Sequence, residues 1–455
     1  MTTSNRVLVY GVAITGEAVL RALLRRGFDV IAADDAVTDT KRSLVENLGV
    51  ELVDAPDQAT IERLVGDVAF VAPAPGVPET HAVVQSAQAL GTPLRTELDL
   101  AAEWEHDRAG GPRPMLAVTG TDGKTTTTLM ADAMLRAAGV RSAAVGNTEI
   151  PLVAVLDDDA LDAFVVECSS FRLSWTTRFR PKAGVWLNLA PDHQNWHVDM
   201  ASYVAAKARM WAFQGPGDVA IGFADDPIVM AELQRAPGRT TTFGLHNAQY
   251  HLAGDVLVGP RGAIAPVAGM RRRLPHDITN ALAAAALVIE SGLASADAVA
   301  AALATFVGPP HRIEPIGEAE GVTWYNDSKA TTPHAALTAI RAFDSLVLIA
   351  GGRNKGLDLG ELASEPQRLR GVVAIGEAAP LIAAVFAGVC PVVTATSMRD
   401  AVERAGELAE PGDAVVLSPA CASFDWYPDG GYPARGDDFR ALVRAHLDQS
   451  TVGAG

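Results

Sequence analysis

Residues 115–137 hold the pattern most able to do chemistry: an apolar run, MLAVT, then GTDGK, then TTTTLMADAMLRA. A strand, a glycine-bearing loop and a helix in that order turn backbone N–H groups and a helix N-terminus toward phosphate oxygens. Lys124 can reach a transferred phosphate, and Thr125 is placed to ligate Mg²⁺. Val118 stands where the pattern G-x-x-x-x-G-K-[ST] has its first glycine, so a plain strand-to-helix turn is the competing reading. The next run, AFVVECSSF (163–171), carries Glu167 and Ser169 to its C-terminal end, the edge where open α/β sheets bind ligands. Glu167 there is either a Mg²⁺ ligand or a solvated strand-end carboxylate. GVWLNLA (184–190) leads into PDHQNWH, with Asp192, His193 and His197. The two histidines have the i, i+4 spacing of a zinc helix, but no Glu follows the first, so zinc is not expected. Lys207, in SYVAAKARMW, reads by itself as an ordinary helix lysine.

Two further regions offer ligand-binding edges. GVAITG (11–16) is a dinucleotide-type loop with Ala13 at the second glycine position, and a plain βα turn explains it equally well. Asp34 and Asp35 close the following strand and can bond a ribose or cap a turn. Toward the C-terminus, VTWYND, SLVLIAGG and DAVVLSP each end in polar residues, which locates a site on one sheet edge. Lys329 and Thr331 follow the first, Lys355 the second, and Ser423 and Phe424 the last. Two lysines and two hydroxyls suit an amino acid with two carboxylates; solvated loops are the alternative.

The elements that must position these residues follow an α/β plan. Short apolar runs alternate with Ala/Leu-rich helical patterns, as in βα units with largely parallel sheets. RVLVYGV leads into a helix closed by Gly27. EHDRAGGPRP (105–114) reads as a linker, and VGPPHR (307–312) breaks a helix at two prolines. Three domains are expected, at 1–108, 109–310 and 311–455. The 455 residues carry 37 Lys+Arg against 54 Asp+Glu, a net −17, which argues against a broad nucleic-acid or anionic-membrane surface. Hydrophobic residues at 49% and charged residues at 20% exclude a disordered or fibrous chain. Three scattered cysteines give neither a disulfide framework nor a zinc set. No signal-peptide pattern and no bilayer-length apolar run are found, so a cytoplasmic protein without membrane insertion is expected.

Nine segments in register carry a resemblance. GTDGKTTT, ECSSFRL, LNLAPDHQNWH, AAKARMW, HDITNALAA, GPPHRIEPIG, YNDSKATTP, AGGRNKG and LSPACASFDWY together resemble the Mur ligase family, most closely its D-glutamate-adding branch. The resemblance implies a Rossmann-like N-terminal domain for a UDP-linked substrate, a central P-loop-type ATPase domain with a mostly parallel sheet, and a Rossmann-like C-terminal domain for an amino acid. The implied activity joins D-glutamate to UDP-N-acetylmuramoyl-L-alanine through an acyl phosphate. It releases ADP and phosphate, and serves peptidoglycan precursor synthesis. ATP, two Mg²⁺ and a carbamate on Lys207 are the implied cofactors. The carbamate would turn an ammonium that cannot ligate a metal into an oxygen ligand. A monomer with no nucleic-acid partner is expected.

By the same resemblance, Gly120, Thr121, Asp122, Gly123, Lys124, Thr125 and Thr126 hold the phosphates, and Lys124, His193 and Lys207 are catalytic. Thr125 and Glu167 bind one Mg²⁺, and His193 and Lys207 the second. Asn280 contacts adenine; Arg312 and Asp327 reach phosphates and ribose. Ile14, Thr15, Asp35 and Gly76 hold the UDP portion, Asn147 and Ser169 the acceptor, and Lys329, Thr331, Lys355, Ser423 and Phe424 the amino acid. Reaction would require the third domain to close on a hinge near Pro309–Arg312. Asp122, Asp277, Ala13 and Phe223 depart from the family pattern, and Tyr432 lies in a segment about two residues longer than usual. The alternatives are another Mur or folylpolyglutamate-type ligase and, in a different class, a nucleotide-dependent binding module.

Overall fold

The computed structural model describes residues 5–148, 150–193 and 196–453. The chain divides into two units, one of residues 1–273 and 277–306, the other of residues 274–276 and 307–455. The fold is α/β, and no helix among the described residues is long and apolar enough to cross a membrane.

The first unit contains two parallel sheets. The smaller has strands β1 (Arg6–Tyr10), β2 (Asp29–Asp34), β3 (Glu51–Asp54) and β4 (Phe70–Pro73) in the order β3-β2-β1-β4. The larger is built from β5 (Met115–Thr119), β6 (Ser142–Gly146), β7 (Ala163–Glu167), β8 (Ala183–Trp186), β9 (Val219–Phe223) and β10 (Arg239–Phe243), in the order β10-β9-β8-β5-β7-β6. β5 lies between β7 and β8, so the glycine loop after β5 is flanked by the residues that leave those two strands. The five residues of β5 are all buried, which fits an apolar run covered on both faces. A small antiparallel sheet, β11 (His251–Ala253), β12 (Val256–Gly259) and β13 (Gly262–Pro266), completes this unit's strands among the described residues.

The expected helix after β1 spans Ile14–Arg25 and buries Ala18, Val19, Ala22 and Leu23, one face at helical spacing. The most apolar stretch of the sequence is the Pro275–Glu290 helix, in which Ala281 through Ile289 are all buried. A helix apolar all round belongs in a core, and this one packs into the cluster that backs the larger sheet. Asn280 lies inside this helix, five residues past its first, so it is not an N-cap.

The segment read as a linker, 105–114, leads from the helix Glu97–His106 into β5 and is held down along its course. Arg113 is 7% exposed and Glu105 3%; the guanidinium Nε donates to Glu105 Oε2 at 3.1 Å, as does the Arg113 backbone N–H at 3.0 Å. Arg113 also donates to the carbonyls of Leu156 and Asp158, at 2.6 and 2.7 Å. Gly110, Gly111 and the prolines make the composition of a flexible joint. A buried, fully bonded ion pair overrides that composition.

The second unit has one mixed sheet of β14 (Glu314–Ala319), β15 (Val322–Asn326), β16 (Leu346–Gly351), β17 (Leu369–Ile375), β18 (Val392–Thr394) and β19 (Ala414–Ala420). Its order is β14-β15-β19-β16-β17-β18, with only β14 antiparallel to its neighbour. The C-terminal ends of β15, β19 and β16 therefore share one edge.

Candidate functional site

In the first unit, the loop Gly120–Gly123 leaves β5 and enters the helix Lys124–Ala137. Gly123 is the helix N-cap at φ +80°, and a Cβ there would lie 2.6 Å from Asn280 Oδ1, so only glycine fits. The same contact puts Asn280 directly against the loop. Asn188, just past β8, clamps the other side. Its Oδ1 accepts from the backbone N–H of Thr121 and of Asp122, both at 2.9 Å, and its Nδ2 donates to the Asp122 carbonyl at 3.2 Å. Thr121 Oγ1 accepts from the Ala190 N–H at 2.9 Å and lies 3.2 Å from the Tyr203 hydroxyl. Asn188 and Tyr203 were not singled out from the sequence, because their partners lie 66–82 residues away. Lys124 Nζ donates to the Thr121 carbonyl at 2.7 Å, its head lying over the loop it follows. Thr125 is half-buried and Thr126 buried on the first turn of the helix.

Glu167 ends β7, opposite Val118 on one side and Gly146 on the other, and is 2% exposed. Its Oε1 accepts from Asn147 Nδ2 at 3.0 Å, whereas Oε2 is buried with no hydrogen-bond partner. A buried carboxylate oxygen without a donor is costly unless a cation faces it. Ser169 caps the short Ser170–Leu173 helix, accepting from the Arg172 N–H at 3.4 Å.

Lys207 projects from the Met200–Ala212 helix and is 1% exposed. Its Nζ donates to the Gly120 carbonyl at 2.7 Å and lies 4.6 Å from the Tyr203 ring centroid. This is no solvated surface lysine. Burial, and next the charge of Lys124, hold its ammonium well below the ordinary lysine range. His193, at φ +56°, sits 3.2 Å from Asp192 and stacks obliquely on Phe171. Burial lowers its pKa, with Lys124 and Lys207 acting in the same direction and Asp192 against them. A neutral imidazole with a lone pair to offer is thereby favoured.

At the smaller sheet, the loop after β1 meets its expected residues. Ile14 is 66% exposed, and Thr15 Oγ1 accepts from Arg172 Nη2 at 2.9 Å. Arg172 also forms a buried ion pair with Glu97, which couples this loop to the β7 edge. Ala13 has φ −104°, a conformation open to any residue, so the missing glycine costs nothing. Gly16 is the position that must lack a side chain, since a Cβ there would lie 1.9 Å from the Gly11 carbonyl oxygen. Asp34 is not available for a ribose. Its carboxylate takes Lys41 Nζ at 2.7 and 2.8 Å, and the Val12 and Ala36 N–H groups at 2.6 and 2.9 Å. Asp35 remains outward, accepting from Tyr10 Oη at 2.6 Å, with His81 Nε2 at 3.0 Å. His81 Nδ1 accepts from the Val83 N–H at 3.1 Å, so Nε2 carries the proton and donates to Asp35. Gly76 and Asn147 are exposed. The departure at Asp277 is explained as well: it is 1% exposed and paired with the buried Arg272 at 2.8 Å.

In the second unit, two contacts knit the polar strand ends together. Ala420 N–H donates to the Ala330 carbonyl at 2.9 Å, joining the segment of Lys329 and Thr331 to β19. Arg353 and Ala422 exchange backbone hydrogen bonds at 2.8 and 3.0 Å, joining the Lys355 loop to Ser423 and Phe424. Ser423 is 2% exposed, Phe424 is 51% exposed and Lys355 is exposed. Lys329 Nζ lies 5.3 Å from the Tyr432 ring centroid. Asp327 accepts from Ser418 Oγ at 2.7 Å and from the Ile313 N–H at 3.2 Å, next to the half-buried Arg312 in sequence. Arg435, 1% exposed, donates to Ser328 Oγ, the Ser328 carbonyl and the Cys421 carbonyl at 2.9–3.2 Å. It is the staple of this edge, and nothing local in the sequence marks it.

Comparison with known proteins agrees with this arrangement. Residues 118–288 match the model of the Mur ligase middle domain, and residues 311–421 that of the Mur ligase, glutamate ligase domain. The chain is 42% identical to a UDP-N-acetylmuramoylalanine–D-glutamate ligase of Frankia casuarinae, over 96% of this chain and 94% of that one. It is 38% identical to one of Mycolicibacterium vanbaalenii, over 97% and 98% of the two chains. Among solved structures, the UDP-N-acetylmuramate–alanine ligase MurC of Thermotoga maritima aligns with a TM-score of 0.58 at 17% identity, covering 97% of this chain and 99% of that one. MurF of the same organism, in complex with ADP, aligns with a TM-score of 0.58 at 16% identity, covering 97% and 95%. With both domains matched and curated relatives aligned over nearly its whole length, the chain belongs to the Mur ligase family.

Proposed function

We propose that this protein is the ATP-dependent ligase that adds D-glutamate to UDP-N-acetylmuramoyl-L-alanine in cytoplasmic peptidoglycan precursor synthesis. The observation that carries the reading is the gathering of Lys124, Lys207 and Glu167 around one glycine loop, in a chain 42% identical to a relative of that name. A carboxylate is a poor electrophile. Transfer of the γ-phosphoryl group to the L-alanyl carboxylate releases ADP and gives an acyl phosphate with a good leaving group. The D-glutamate nitrogen then attacks the carbonyl carbon, the tetrahedral adduct expels phosphate, and the nitrogen loses a proton.

The chain's residues would position and neutralise in this reaction. The N–H groups of the loop and Lys124 would cradle the phosphates, and Asn188 would keep the loop in shape for them. Asn280 would contact adenine, and Asp35, held by Tyr10 and His81, would face the uridine end.

Among the described residues, no group of three His, Cys, Asp or Glu side chains could hold a metal. The donors present nonetheless fit Mg²⁺ in another way. Glu167 offers an unpartnered buried oxygen, His193 favours its neutral form, and Lys207 favours the free amine that can add carbon dioxide with loss of a proton. Thr125 with Glu167, and His193 with the Lys207 carbamate, would hold the two ions. Bound Mg²⁺ would supply neutralisation of crowded phosphate charge.

Phosphate release, followed with ATP and UDP-N-acetylmuramoyl-L-alanine while the amino acid is varied, tests the reading. Release should require D-glutamate and should be near background with L-glutamate, L-alanine, L-lysine or diaminopimelate. Slow ATP turnover indifferent to both co-substrates would point to the binding-module alternative.

A further inference from the structure

Resting on that functional reading, we propose that His197 is a positioning residue, held between Ser170 and Glu79, that fixes the 75–81 loop of the smaller sheet against the turn carrying His193. The loop follows β4 and contains Gly76, and its last residue, His81, orients Asp35. Two side chains of the other sheet grip it. Trp196 Nε1 donates to the Pro75 carbonyl at 3.1 Å, and His197 Nδ1 lies 3.4 Å from Glu79 Oε1. The other imidazole nitrogen, Nε2, lies 2.9 Å from Ser170 Oγ. Both grips start from one turn, because the Trp196 and His197 N–H groups each donate to the His193 carbonyl at 3.0 Å.

The tautomer follows from the partners. If Ser170 donates to Nε2, then Nδ1 carries the proton and points it at the Glu79 carboxylate; the opposite tautomer sets a lone pair against a carboxylate. His197 is 3% exposed, and Nδ1 is buried and makes no hydrogen bond, with Glu79 Oε1 at 3.4 Å. Glu79 is thus the carboxylate that this buried donor faces. Ser170, His197 and Glu79 have the chain of contacts of a hydrolytic triad. Ser170 is 1% exposed, however, so its hydroxyl is no nucleophile, and the chain serves to orient. The imidazole also stacks on Phe171, centroids 5.8 Å apart, and the same Phe171 ring lies 4.5 Å from His193. A displaced 75–81 loop would therefore disturb first the seat of the UDP portion, which Gly76 and the His81–Asp35 contact belong to.

The test is steady-state kinetics of the full-length enzyme with Mg-ATP, D-glutamate and UDP-N-acetylmuramoyl-L-alanine. His197→Phe keeps the ring stacked and removes both nitrogens. It should raise KM for the UDP-linked substrate about tenfold or more, with KM for ATP moved less than about twofold. Glu79→Ala should give the same split, and Glu79→Gln, which keeps an acceptor for Nδ1–H, should recover most of the loss. A packing role alone predicts a harmless His197→Phe and equal effects of Glu79→Gln and Glu79→Ala. If His197→Phe does not fold, the Glu79 pair decides, since Glu79→Gln keeps the size of that partly exposed side chain and serves as the control for Glu79→Ala. Unchanged KM for the UDP-linked substrate in Glu79→Ala, or equal rises for all three substrates, overturns the proposal alone. A wild-type enzyme that releases no phosphate with this substrate set overturns the functional reading and the proposal with it.

Discussion

The edge proposed for the nucleotide in the first unit and the edge proposed for the amino acid in the second occupy the same place in their sheets, beyond the C-terminal ends of parallel strands, yet are built in opposite ways. At the first, the charged groups are interior: Glu167 is 2% exposed and Lys207 1%. At the second, the buried polar groups are spent on one another, with Asp327 on Ser418 and Arg435 on Ser328, while Lys355 and Phe424 stand exposed. Charge that must act on phosphates without reorganising is best fixed beforehand and kept from water. A site that admits a small, strongly hydrated amino acid can leave its cations solvated until that ligand arrives. The contrast predicts that damage at the first edge appears in turnover, and at the second in KM.

The largest effect is expected at Lys207. Lys207→Arg keeps a long basic side chain at the buried position but is always charged and cannot carry a carbamate. Turnover at saturating substrates should fall roughly a hundred- to a thousand-fold, the size seen when one preorganised group is lost. Affinity for a fluorescent ATP analogue should stay within a few-fold, showing that the loop is intact. Turnover like that of the wild type would remove Lys207 from the chemistry and the contrast with it.

At the other edge, Lys355→Ala should raise KM for D-glutamate by about ten- to a hundred-fold, the range of one charge-assisted bond, with KM for ATP unchanged. A drop in turnover at saturating D-glutamate with no change in KM would place Lys355 in the chemistry and erase the distinction between the edges. A smaller effect belongs to the support of the loop. Tyr203→Phe removes the hydroxyl 3.2 Å from Thr121 Oγ1 but keeps the ring under Lys207. Turnover should fall several-fold, up to about tenfold, as for a single lost neutral hydrogen bond. A thousand-fold loss would mean that the hydroxyl itself meets substrate.

The same contrast explains what could be read from the chain in advance. The strand–loop–helix around Lys124, Glu167 at the end of β7 and the polar ends of β15, β16 and β19 are local patterns, each complete within a dozen residues. Lys207 was legible only through the family resemblance, because its burial depends on Gly120, 87 residues away. Asn188, Tyr203, Arg172 and Arg435 escaped for the same reason: each makes its contacts across a gap in sequence that no spacing rule spans. The 105–114 segment does connect the two sheets of the first unit, but its firmness was not legible. Its glycines and prolines describe a joint, and the ion pair that locks it joins Arg113 to a glutamate that reads as part of that same joint.

The smallest effect is expected where the sequence departs from the dinucleotide-loop pattern. Ala13 stands at φ −104°, ψ −168°, an extended conformation that costs an alanine nothing, whereas Gly11 at φ +92° and Gly16 against the Gly11 carbonyl do need to lack a side chain. If the loop works through Gly11, Gly16 and the Thr15 hydroxyl, the residue at 13 matters only through chain entropy and as the N-cap of the Ile14–Arg25 helix. Ala13→Gly should therefore leave KM for the UDP-linked substrate unchanged and move stability by less than about 1 kcal/mol, since the extra freedom glycine gives the unfolded chain is offset by its better fit at a helix N-cap. Denaturant unfolding measures the second and kinetics the first. A several-fold fall in KM would mean that the substrate meets the alanine methyl group, and that the loop is a tighter cradle than its backbone angles require.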